Sequence, residues 1–143
     1  MSSTPASLFL RIAAGIYDLF PLVALWMLTA GVALLAVHGK VDLAHPSFGW
    51  RIGLRAALVG VTGAYFVISW ARGGQTIGMR AWRLRVVDDG GNALGWSRAL
   101  LRFVVACVSL LALGIGFFWC LYDRRKRGWH DLAARSVLVR LQK

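Results

Sequence analysis

The chain has no glutamate, and its 143 residues include only six aspartates, two cysteines and three prolines. Cys107 and Cys120 stand 13 apart in one apolar stretch, a separation that fits no metal or redox motif. They read as small buried hydrophobes. No Cys or Glu stands at ligand spacing from His130 or Asp131, and His38 and His45 belong to a distant loop. No metal site and no cofactor is therefore expected. Ser, His and Asp occur but compose no nucleophile motif, so an enzyme is not expected. Gly73-Gly74-Gln75-Thr76-Ile77-Gly78 lacks the Lys-Ser/Thr of a phosphate loop. Charged residues make up 16% of the chain, where a soluble domain has about a quarter. There is no internal repeat and no low-complexity segment.

What is present is apolar. Leu19–Val37 is 19 residues without a charge, Ile52–Ala71 is interrupted only by Arg55, and Phe103–Tyr122 adds 20 uncharged residues. Each run approaches the ~20 residues that a helix needs to cross a ~30 Å hydrocarbon core. So small a chain has no layer able to cover three all-apolar helices in water. The fold class expected is an all-α membrane protein with three hydrophobic helical segments, in one domain over residues 7–140. The first helix starts near Ser7, contains Pro21 as a candidate kink, and ends at His38-Gly39-Lys40. An uncleaved anchor is expected rather than a signal peptide, because Met1–Leu10 carries no basic n-region. The second helix runs Trp50–Arg72 and stops at Gly73-Gly74. Ala56, Gly60 and Ala64 recur every four residues along it, a ridge that would admit a neighbouring helix. Tyr65 and Trp70 read as packing residues or interfacial anchors.

Trp82–Val87 alternates as a short strand, and an amphipathic surface helix over Ile77–Leu84 is the rival reading. Asp88-Asp89-Gly90-Gly91-Asn92 signals a turn. The third helix starts at Ser97 as N-cap, with Arg98 and Arg102 snorkelling to headgroups. A short helix then carries His130 and Asp131, and Val137, Val139 and Leu141 alternate as a last strand.

Seventeen Lys and Arg oppose the six Asp, for a net charge of +11 and a pI near 11.3. That balance alone suits a nucleic-acid binder. Here the basic residues flank apolar spans, where they meet headgroups and set topology, so nucleic acid is not an expected partner. Arg72–Arg102 holds six basic residues, Asp123–Lys143 seven, and the first loop two. The positive-inside rule places both basic stretches in the cytoplasm, which three plain crossings would not allow. Either the third run, interrupted by Gly114 and Gly116, is kinked or re-entrant, or the rule fails at one end and the run is a plain span; the first reading is preferred. A shared side would also let the two candidate strands pair as a short cytoplasmic β-hairpin-like element.

Arg11 and Asp18 are seven residues apart, nearly two helical turns, so they share a face with a rise of ~10.5 Å between them. Both side chains lean toward the N-terminus, which favours a third group as the bridge: a water, an ion, Asp131, or an Arg of the basic stretches. An intramembrane carboxylate beside a cation can bind and release a proton or a small ion. The competing reading is a pair that orients the helix and locks it to the cytoplasmic segments.

Arg11-Ile12-Ala13-Ala14-Gly15-Ile16-Tyr17-Asp18 resembles the opening of the RDD family of small bacterial membrane proteins, named for one Arg and two Asp. Gly74-Gln75-Thr76-Ile77-Gly78, followed by Leu84-Arg85-Val86-Val87-Asp88 and Gly90, looks like its central motif. His130-Asp131-Leu132-Ala133-Ala134 with Ser136-Val137-Leu138-Val139 looks like its C-terminal motif. The named trio would be Arg11, Asp18 and Asp131. Met79 departs from a common Lys, and Arg135-Ser136 from a common Gly-Thr. The resemblance implies a few transmembrane helices in a bacterial inner membrane, and sodium–proton exchange has been proposed for some members. The leading expectation is a multi-pass protein moving protons or cations as a homo-oligomer. Asp18 would be the ion-binding carboxylate, Arg11 its partner and Asp131 a cytoplasmic latch. The alternative is a non-transporting adaptor or assembly factor whose basic cytoplasmic face, 72–102 and the C-terminal tail, binds anionic lipid or a partner membrane protein.

Overall fold

A computed structural model describes residues 3–141. Lys143, counted above among the basic residues of the C-terminal stretch, lies outside them, as do Met1, Ser2 and Gln142. The chain runs β1 (Ser3–Pro5), α1 (Leu8–Ala36), α2 (Phe48–Gly73), α3 (Ile77–Ala81), β2 (Leu84–Asp88), α4 (Trp96–Leu111), α5 (Ile115–Phe118), a 3-10 turn (Trp119–Leu121), α6 (Trp129–Ala133) and β3 (Ser136–Leu141).

Among the described residues two helices are long and apolar enough to cross a membrane, with a third span if the bent run 96–121 is taken as one broken helix. At 29 and 26 residues, α1 and α2 measure ~43 and ~39 Å at 1.5 Å per residue. Their outer faces are bare: on α1 only Ala14, Asp18 and Leu22 are buried, a stripe with a four-residue step. That is the signature of helices whose other neighbour is lipid. α1 continues through Pro21. Midway, Trp26 Nε1 donates to Thr62 Oγ1 at 2.8 Å and ties α1 to α2. The Ala56–Gly60–Ala64 ridge does not serve this contact. All three residues are exposed, and the glycine of α2 that a neighbour approaches closely is Gly63, toward α4, where a Cβ would meet the Phe103 ring at 2.9 Å.

The third apolar run is not a straight span. α4 and the segment Ile115–Leu121 meet at 111°. The break falls where Leu113 (φ 56°) and Gly114 (φ 79°) both take left-handed backbone, which ends a helix. Gly116 then packs against α4: a Cβ there would run into the Ser109 side chain and into Trp129. The run thus leaves the sheet end at Trp96 and comes back to it. α4 begins one residue before the expected cap, with Gly95 and not Ser97 at its N-cap position.

The strand reading of 82–87 holds as β2, whereas the amphipathic surface helix over Ile77–Leu84 shrinks to the five residues of α3, which buries Gly78 and Met79 while Leu84 enters the strand. The sheet is three-stranded and antiparallel, in the order β1-β3-β2. Val86 faces Leu138 and Arg85 faces Val139, while Thr4 faces Arg140 on the other edge. β1 was not visible in a three-residue Ser-Thr-Pro segment, because so short a strand carries no period. The core lies under this sheet, where Leu84, Val86, Leu94 and Leu138 meet Ala14 and Met79 from the helices, and Trp70 from α2.

Candidate functional site

Three short segments fold back on the ends of α1, α2 and α4, and two buried carboxylates hold them there. Asp18, 2% exposed, sits one turn past Ala14 on the buried stripe of α1. Its Oδ1 accepts from the Tyr65 hydroxyl at 2.6 Å and from the Gly78 N–H at 2.8 Å. Its Oδ2 accepts from the Thr76 hydroxyl at 2.6 Å. Thr76 is also the N-cap of α3, its Oγ1 accepting the Met79 N–H, and the Tyr65 hydroxyl accepts the Ile77 N–H. One carboxylate therefore seats the first turn of α3 on α1 and fastens both to α2.

The rest of the central motif is shaped for the same seat. Gly74 ends α2 in a left-handed conformation (φ 68°), and its carbonyl accepts the Val86 N–H at 2.7 Å. Gln75 Nε2 donates to the Leu84 carbonyl at 2.6 Å, aligning β2. At Gly78 a Cβ would collide with the Ala14 carbonyl oxygen and with the Asp18 carboxyl carbon. Only glycine permits an approach this close. Met79 is buried in the core beneath.

Asp131 is fully buried near the start of α6. Its Oδ2 accepts from Arg11 Nη1 at 2.6 Å and from the Gly128 N–H at 3.0 Å, so it also caps its own helix. Its Oδ1 accepts from Arg102 Nη1. Arg102 donates further to Ser136 Oγ at 2.8 Å, and its guanidinium carbon stands 4.8 Å from the centroid of the Trp70 ring. Arg11 Nη2 donates to the Lys126 carbonyl at 2.6 Å, reaching the turn that Asp123 organises by accepting the Arg125 and Arg127 N–H groups. Two guanidiniums thus share a single carboxylate. Burial alone would raise the Asp131 carboxyl, but the Arg102 and Arg11 charges and the Gly128 N–H outweigh it and hold it well below the carboxylate range. Beside it, burial and the Arg102 charge push the His130 imidazole down to about 3, so it is neutral. The Arg127 hydrogen bond keeps Asp123 low as well.

Arg11 and Asp18 do not bond to each other, and no side chain among the described residues bridges them; Asp131, one of the expected bridges, takes Arg11 alone. Each carboxylate finds donors nearer its own depth: Asp18 those of α3 and Tyr65, Arg11 the carboxylate of α6. The tilt of both side chains toward the helix start had already separated them. Two further participants carried no motif. Arg102, expected to snorkel, is 2% exposed, whereas Arg98 one turn earlier stays out. Tyr65, expected as a packing residue or an interfacial anchor, is a hydrogen-bond donor to Asp18. A basic residue one turn inside the helix, in a chain with so few acids to satisfy it, was the only available signal for Arg102. At the Arg135-Ser136 departure from the family pattern, Arg135 adopts φ 47°, the conformation that explains a common Gly there, and Ser136 supplies the hydroxyl that holds Arg102.

No curated protein and no solved structure matches the chain. The family model of the RDD family matches residues 5–135, from β1 to the turn before β3. The match takes in Arg11, Asp18, the central motif and residues 130–134 of the C-terminal motif, and the chain belongs to the RDD family.

Proposed function

We propose that this chain is a non-transporting membrane adaptor or assembly factor, with a strongly basic cytoplasmic face that binds anionic lipid or an acidic partner protein. One observation carries the choice over ion transport. Asp18 is the only carboxylate in the apolar helices, and both of its oxygens are engaged by hydroxyl and backbone donors that anchor α3. A carboxylate committed to a seat is poorly placed to exchange a proton or a cation with each cycle. The trio then serves to close the fold, Arg11 and Asp131 acting as a latch.

The face this closure presents supports the binding role. Arg72, Arg80, Arg83, Arg98, Arg124, Arg125, Lys126, Arg135 and Arg140 are all exposed around the sheet, with Asp89 as the one exposed acid among those segments. Each exposed cation near an anionic leaflet is worth about 1 kcal/mol, so nine form a strong electrostatic surface. A homo-oligomer or a partner membrane protein would meet the bare faces of α1 and α2.

The deciding experiment is proton and sodium flux in proteoliposomes, with wild type and Asp18→Asn at equal incorporation. The expected result is no flux above protein-free vesicles for either. Flux in the wild type that disappears in Asp18→Asn, with the variant still folded, would overturn the adaptor reading and restore transport.

A further inference from the structure

Between α1, α2, α4 and α5 lies a cavity of about 650 Å³. Its walls are apolar, with Trp26, Leu58, Phe66, Phe103, Leu110 and Phe117 among them. It lies within the roughly 300–1,000 Å³ range that accommodates one small ligand. Ile12, Val59, Leu110 and Phe118 border it and are each at least half exposed, one from each wall helix. These are faces that a bilayer would cover, so the opening leads sideways into lipid.

Its polar end is different. Arg11, Arg102 and His130 line it there. Arg102 Nε, Arg11 Nε and His130 Nδ1 are buried and have no partner among the described residues. Two guanidiniums share the one Asp131 carboxylate, leaving a buried excess of one positive charge beside a neutral imidazole. Asp18 also lines the cavity, about two turns further along α1, but its charge is spent on Thr76, Tyr65 and Gly78. A buried donor without an acceptor costs about 1–3 kcal/mol, more when charged. An acidic group entering from the bilayer would meet these donors and offset the excess charge.

From this geometry we infer that the cavity is a binding site for one acyl chain of an anionic lipid, its acidic headgroup directed to Arg11, Arg102 and His130. The occupant goes beyond the exposed basic face: it is selected inside the protein, by a charged end and an apolar wall together. A phosphate-bearing lipid and a fatty acid share this chemistry, an acidic head on an acyl chain, and the experiment separates them.

The test is native mass spectrometry of the full chain in detergent, titrated in turn with phosphatidylglycerol, phosphatidylcholine and oleate. One bound phosphatidylglycerol, held at least tenfold tighter than phosphatidylcholine, is expected. Oleate bound as tightly as phosphatidylglycerol would support the site and assign its ligand to the fatty-acid source. Ala106→Trp and Cys107→Phe both fill the cavity from α4, and either one that retains the wild-type melting temperature should lose this lipid. Arg124→Glu with Arg125→Glu, on the exposed face, should keep it. Equal binding of the two phospholipids overturns the proposal. So does a preference that survives cavity filling and vanishes with the exposed arginines, which would leave the basic-face reading intact while removing the internal site.

Discussion

Asp131→Asn and Arg102→Met perturb one cluster in opposite electrostatic senses, and their relative cost tests whether the buried charge is in positive excess. In Asp131→Asn the two guanidiniums lose their common counterion. Charge-assisted bonds from Arg11 and Arg102 are weakened or lost, at roughly 1.5–3 kcal/mol each. The range agrees with the 3–5 kcal/mol typical of leaving a buried charge unpaired. Arg102→Met is gentler. It removes a bond to Asp131, a bond to Ser136 and a cation–π contact of about 0.5–2 kcal/mol, but Asp131 keeps Arg11 and the Gly128 N–H. It also relieves the desolvation of a fully buried cation and restores neutrality, while Met fills much of the volume. The net cost expected is about 1–2 kcal/mol. The double variant should be less destabilised than the sum of the singles, because removing Arg102 takes away one of the two charges that Asn cannot serve. The assay is thermal unfolding of the detergent-solubilised protein at neutral pH, with denaturant titration for the free energies. A cost for Arg102→Met equal to that of Asp131→Asn, or strict additivity in the double variant, would refute the reasoning.

Three further outcomes follow from individual positions. Gly78→Ala should cost at least the 1–3 kcal/mol of an overpacked site and should detach α3 from α1, read as faster backbone amide exchange at Thr76–Met79; unchanged exchange would mean the approach of the two elements is not as close as described. Arg135→Gly should raise stability by about 1 kcal/mol, because a left-handed non-glycine residue is strained and this side chain is exposed; a lower melting temperature would contradict that. Stability should fall with acidification from pH 6.5 toward about 3, because the unfolded chain binds a proton at His130 that the folded chain refuses, and the gap amounts to on the order of 4 kcal/mol by linkage. Asp131, held low when folded, adds its own loss only below the unfolded carboxylate value of about 4. His130→Gln should flatten the decline between pH 6.5 and 4.5, and an unchanged slope there would assign the effect to another group.

How much of this was legible depended on whether a residue's partner lay within its own element. The apolar runs of α1 and α2, the Ser7 start, the Gly74 stop and the alternation of β2 and β3 are local signals, and they could be read directly. The break after Leu111 was readable as a weakness at two glycines, and the basic stretches at both ends suggested a return, but the packing of Gly116 on Ser109 was not readable. Arg11, Asp18 and Asp131 drew notice because charge is rare in such a chain. Apart from Arg11 and Asp131, which find each other, their partners did not: Tyr65, Thr76, Gly78 and Arg102 lie 29 to 60 residues away, and the first three offer hydroxyl or backbone donors without a charge to betray them. Proximity along one helix face suggested a single shared site, but two residues on the same stripe find outside partners more readily than a common one, and Arg11 and Asp18 serve separate clusters.

The sheet constrains the membrane arrangement more tightly than the charge pattern does. β1 precedes α1, β2 follows α2, and β3 follows the bent run, so the three strands are delivered by three different apolar segments. They hydrogen-bond to one another with β3 in the middle. Were the third run a crossing, β3 would emerge about 30 Å away on the far side of the hydrocarbon core, and both flanking strands would lose their only partner. With α1 and α2 as the spans, the third run has to return, and the 111° bend after Leu111 is how it does. This gives the Asp131 cluster its purpose. Arg11 comes from the start of α1, Arg102 from the second turn of α4 and Asp131 from the segment after the return. The pairs close across the same gap as the sheet, at the level where the chain re-emerges. A salt bridge at that point need not make the fold much more stable than apolar packing would. What it opposes is the alternative topology, because a third run that crossed would carry Asp131 to the far side and strand two arginines without a counterion.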